Sequence, residues 1–159
     1  IGQTSKQFKA VSSLLGSNEV DKIVIATDAT LANGVQTMGD DGKAIAWTWS
    51  DDNFNAIIAK GSSTFTLYKT AKAYMQLKKQ NTFTIENKNG KAIKTVTIST
   101  TNATQLTNLG AALANNNLTF TKDADALTIT IEWNSTENLT FMHNGSTTAY
   151  ISGVEIIYE

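Results

Sequence analysis

Cysteine, proline and arginine are all missing from the 159 residues. Without cysteine there is neither a disulfide framework nor a thiolate zinc site. Without arginine the planar forks that grip phosphate are absent. The 13 lysines nearly balance 14 acidic residues to leave a formal charge of −1, which argues against a nucleic-acid partner. A single histidine, His143, rules out a metal site built on several imidazoles. No apolar run approaches the roughly 18 residues of a membrane span, and the start, IGQTSKQFKA, lacks the basic-then-apolar layout of a secretion signal.

Threonine (24 residues) and asparagine (15) are abundant, and ten glycines supply the turns. Threonine is β-branched and polar, which suits the wet face of a strand. This composition is common in proteins outside the cell. The length is that of one domain. The expectation is one β-sandwich domain over 1–159, with 1–43 read as a helix, a strand and turns.

Between Ser5 and Leu15 the apolar residues Phe8, Val11, Leu14 and Leu15 recur at helical spacing before Gly16, which predicts a short N-terminal helix and no other. VDKIVIAT (20–27) reads as a strand. After Gly42 the period of two becomes regular. Ile45, Trp47 and Trp49 share one face, as do Phe65 with Leu67, Met75 with Leu77, and Phe83 with Ile85. TFTIENKNGKAIKTVTIST reads as a hairpin around Asn89-Gly90, with Thr82, Thr84, Thr95 and Thr97 outward. In the last third Leu127, Ile129, Ile131 and Trp133 fall on one face. Nine to eleven strands about ten residues apart predict an antiparallel sandwich or barrel.

Three stretches, YMQLKKQNTFTIENKNGKAIKTVTIST, DALTITIEW and the closing YISGVEIIYE, resemble the second half of jelly-roll domains in secreted and outer-surface proteins of gut Gram-negative anaerobes. The family's strand patterns fall on Leu77, on Asn81 to Ile85, on Lys91, Ile93, Val96 and Ile98, and on Ile151, Val154, Ile156 and Tyr158. The resemblance covers about residues 54–159. It departs from the family at Met75-Gln76-Leu77-Lys78, where a basic residue and a tyrosine are usual. It implies an all-β fold, an antiparallel β-sandwich of jelly-roll type similar to carbohydrate-binding modules. It also implies a place outside the cell or on its outer surface, with the export signal outside this chain. VDKIVIATDATLANGV resembles the opening of fimbrillin-like adhesin domains.

Several side chains are candidates for function. Tyr68 and Tyr74 fall in the phase opposite to Phe65, Leu67, Met75 and Leu77, with Lys69, Lys72, Gln76 and Lys78 nearby. Two tyrosines on an exposed face can stack a sugar ring while amide and ammonium groups bind its hydroxyls. Capping of the sheet edge is the competing reading. Trp47 and Trp49 are further ligand-binding candidates, although their phase points to the core. Asp51, Asp52 and Asn53 offer the oxygen ligands of a structural calcium; a solvated turn explains them as well, because no spaced EF-type loop surrounds them. Asp40-Asp41-Gly42, Asp123 and Asp125 read as turn residues. His143 stands alone, and a carboxylate pair such as Glu132 with Asp51 is one of many among 14 acids. The sequons at Asn102, Asn117, Asn134, Asn138 and Asn144 follow from the abundance of Asn and Thr.

The expected function is a non-catalytic extracellular module that binds a polysaccharide or host glycan. An adhesin or fimbrial subunit with a surface-protein partner is the alternative, and a small glycosidase ranks last. Calcium, structural only, is the one cofactor considered.

Overall fold

The period-two pattern resolves into two antiparallel sheets in the computed structural model, which describes residues 19–24, 34–61 and 74–159. The first sheet runs β1 (Val20–Val24), β11 (Ala149–Tyr158), β7 (Ile93–Thr100), β9 (Thr128–Ser135), β8 (Phe120–Asp123), with β5 (Met75–Leu77) also on β11. The second runs β10 (Leu139–Met142), β6 (Thr82–Asn87), β4 (Phe54–Ala59), β3 (Ala44–Ser50), β2 (Gly34–Met38). Ile151 pairs with both Met75 and Thr100, and Val154 to Ile157 pair with both β1 and β7. It follows that β5 and β1 succeed one another along the same edge of β11, opposite β7.

The inward faces meet in one apolar core. Phe54, Ala56 and Ile58 alternate with half-buried neighbours on β4, as do Phe83 and Ile85 on β6, and Ile129 and Ile131 alternate with half-buried or exposed neighbours on β9. A side chain of this size contributes about 1.5–3 kcal/mol when taken out of water. Met75 and Leu77 are fully buried, as their phase predicts. On β3 burial grades from Ile45, 38% exposed, through half-buried Trp47 to fully buried Trp49; the expected phase holds, but the covering layer thins toward the start of the strand. Leu127 is a turn residue at φ 58°, not a strand residue. Trp133, near the end of β9, is half-buried and its indole N–H donates to the Glu137 carbonyl at 2.8 Å.

Two expectations need correction. The run around Asn89-Gly90 is a turn, with Gly90 at φ 73° and the Asn89 side chain accepting from the Lys91 N–H at 2.9 Å. It does not close a hairpin, because β6 pairs with β4 and β10 whereas β7 pairs with β11 and β9. The chain instead crosses from one sheet to the other there. Turn chemistry dictates only the local reversal; both flanking strands are apolar on one face, and facing sheets satisfy that pattern as well as a hairpin does.

The second correction is a helix, α1 (Ala103–Asn115), between β7 and β8. Leu106, Leu109, Ala112 and Leu113 form its buried stripe, and Asn102 caps it by accepting from the Gln105 N–H at 3.0 Å. Gly110 lies against the buried Ile129 of β9 and its exposed register partner Lys122 on β8, so the helix packs on the core side of the first sheet. The helix expected at 5–15 and the strand containing Phe65 and Leu67 lie outside the described residues.

Spacings of three inside otherwise alternating runs mark bulges. Ser152 is an extra residue on β11, where Ile151 pairs with Thr100 but Gly153 with Ser99. Ile151 and Val154 therefore both point inward although three positions apart. Lys94 does the same between the buried Ile93 and Val96 on β7.

Candidate functional site

Outward residues of the first sheet follow from its registers. Gln76 on β5 stands directly opposite Tyr150 on β11, and Tyr74 precedes β5 on the same face. The rings of Tyr74 and Tyr150 stack with centroids 4.2 Å apart and planes 6° from parallel. Both rings and Gln76 are half-buried. An amide beside a phenol pair joins an apolar ring face to hydrogen-bonding groups, the two things a sugar ring needs. Of the expected ligand-binding residues, Tyr74 and Gln76 are thus brought together, while Tyr68 and Lys72 lie outside the described residues.

Tyr150 was not among the expected residues. Counting back in twos from buried Tyr158, Ile156 and Val154 puts Tyr150 inside; the extra residue at Ser152 reverses the phase and turns it out. The signal was present in the spacing of three from Ile151 to Val154.

Trp47 and Trp49 form a second stack, with centroids 5.7 Å apart and planes 15° from parallel. Trp49 is a core residue with no exposed surface, and Trp47 packs half-buried against the core. Gly34 on the neighbouring β2 lies over both indole nitrogens, close enough that any β-carbon there would collide with them. Both N–H groups are buried without a hydrogen-bond partner among the described residues; a buried donor left unpaired costs about 1–3 kcal/mol.

Asp51, Asp52 and Asn53 form the turn between β3 and β4. Asp51 Oδ1 accepts from the N–H of Asn53 at 2.7 Å and of Phe54 at 2.9 Å, and the Asn53 amide donates to Asp21 Oδ2 at 2.8 Å. This ties β1 of the first sheet to a turn of the second. Among the described residues no three His, Cys, Asp or Glu side chains group to hold a metal ion. Tyr158 is fully buried at the same end. Burial pushes its phenol well above the usual tyrosine range, and the charges of Asp21, Asp51 and Glu19 push it further.

Of the carboxylates considered as a pair, Glu132 is on β9 of the first sheet and Asp51 in the turn between β3 and β4 of the second. His143 is fully buried; its Nε2–H donates to the Thr147 carbonyl, and Nδ1 is buried without a partner among the described residues. No helix among the described residues is long and apolar enough to cross a membrane. Comparison with known protein families, with curated proteins and with solved structures finds no match for this chain.

Proposed function

We propose that the chain is a non-catalytic module of jelly-roll type, exported to the cell surface, that binds carbohydrate through Tyr74, Tyr150 and Gln76. The carrying observation is the parallel phenol pair on the outer face of the first sheet, with an amide opposite Tyr150. Tyr74 holds Tyr150 upright from the β5 side. In this reading the Tyr150 ring packs on the C–H face of a pyranose while Gln76 bonds its hydroxyls. A non-catalytic reading is supported by the state of His143, a buried imidazole bonded to backbone. Calcium, where bound, acts only to rigidify.

The test is intrinsic fluorescence and a thermal melt across neutral and charged glycans, with calcium or EDTA. Saturable binding that disappears in Tyr150→Ala and Tyr74→Ala supports the module. A cooperatively melting protein that responds to no glycan rejects it.

A second reading, an adhesin or assembly subunit, rests on β2. Among the described residues this strand, GVQTM, is at the edge of its sheet; it carries no charge and exposes Val35 (63%) and Met38 (52%). Edges without charge are templates for added strands. Mass that rises with concentration in light scattering, and falls in Val35→Lys, favours that reading.

A further inference from the structure

Resting on the carbohydrate reading, we infer that the ligand is an extended, uncharged polysaccharide that crosses the strands of the first sheet from Tyr150 toward β8. On the β7 side of Tyr150 the outer face is a field of hydroxyls in register. Thr97 lies between Glu155 and Thr130, and Thr130 opposite Thr121. In the next row Ser99 lies between Gly153 and Thr128, and Thr128 opposite Asp123. All five hydroxyl residues are half-buried or exposed. The helix α1 packs against Lys122 and Ile129 on the opposite side of this sheet, so it leaves the field uncovered.

Three features select the ligand class. The first is placement: Tyr74 stacks on Tyr150 from the β5 side, whereas the hydroxyl rows begin on β7, across β11 from β5. Secondly, the hydroxyls are preset: Thr97 and Thr130 hydrogen-bond each other at 2.9 Å, and β-branching restricts their rotamers, which lowers the entropy lost on binding. Charge supplies the third. The field itself is neutral, while its rim carries Asp123, Glu132 and Glu155 against Lys22. A uronate or sulfated chain would meet net like charge at that rim, whereas a neutral chain meets none. From β11, which carries Tyr150, to β8 at the far side of the field there are three strand spacings of about 4.8 Å, about 14 Å in all. A monosaccharide covers only part of that distance, and a chain of several units covers it.

Calorimetric titration of the whole chain with cellobiose and cellohexaose, the corresponding mannan and xylan pairs, and hexagalacturonate tests this. The expected result is that at least one neutral hexaose binds more tightly than its biose, by about tenfold or more, and that hexagalacturonate binds no better than a biose. Replacing Thr97 and Thr130 together by valine keeps shape and β-branching. It should shrink the hexaose-to-biose ratio by about three- to tenfold per hydrogen bond lost. Ser99→Ala with Thr128→Val repeats the measurement on the neighbouring row should the first variant lose its cooperative melt. Loss of biose binding in Tyr150→Ala reports on the ring platform separately. Equal affinity for biose and hexaose, a preference for hexagalacturonate, or an unchanged ratio in both row variants overturns the inference while leaving the platform standing. Failure of every neutral hexaose to bind overturns both.

Discussion

Two aromatic stacks lie in the two sheets, and they obey opposite rules. Trp47 and Trp49 sit two residues apart on one strand, so simple alternation puts them on one face, and the core claims Trp49 completely. Tyr74 and Tyr150 are 76 positions apart in the chain and meet because β5 lies on β11 and an extra residue at Ser152 turns Tyr150 outward. The first stack follows from periodicity. The second requires pairing and a bulge, and it is the one on which the proposed glycan reading rests.

Substitutions should separate the two stacks by energy. Trp49→Ala should cost about 3–5 kcal/mol in urea unfolding, as truncation of a large buried ring does. Deleting Ser152 should cost about 2–3 kcal/mol, because either Tyr150 and Ile151 or Val154 and Ile156 must exchange faces; it should also abolish any glycan binding. Tyr150→Ala, by contrast, should cost only about 1 kcal/mol, the worth of a ring pair near the surface. An unfolding cost equal to that of Trp49→Ala would make the tyrosine pair part of the core and erase the contrast.

Tyr158 sharpens the comparison through pH. Its phenol is raised in the folded state, so the unfolded chain loses that proton first, near pH 10. Between the unfolded and the folded values the native state holds one more proton, and stability must fall as pH rises. The slope from this group is about 1.4 kcal/mol per pH unit. Below about pH 10 its contribution is fully present. Alkaline unfolding of Tyr158→Phe should lack this component, whereas Tyr150→Phe should retain it. The smallest effect belongs to the exposed ion pair of Lys91 with Glu19: Lys91→Ala should change stability by less than about 1 kcal/mol, and added salt should remove the difference.

Legibility in the sequence divides along the same line. Strands whose inward residues alternate without interruption, such as β4, β6 and β9, are readable from apolar period alone. Sheet membership is not, which is why the Asn89-Gly90 turn suggests a hairpin where the chain changes sheets. The α1 helix carried its signals, an Asn cap and leucines at helical spacing, but they stand in a threonine-rich stretch between strands that draws the eye to period two. At the candidate site Tyr74 and Gln76 were readable from their phase against Met75 and Leu77. Tyr150 was hidden by one inserted residue, since parity is lost at a bulge and regained only when the pairing partner is known.

The place of β11 has a consequence for the order in which the molecule forms. This strand is the last in the chain, yet it is the sole described partner of β1 and of β5 and one of the two partners of β7. The described ladders of β1 and β5 form only when the ten residues of that strand are available. Closure therefore waits on contacts distant in sequence, the kind that slow folding. Removing β11 would leave β1 and β5 without their described partner, so the first sheet completes only once β11 has docked.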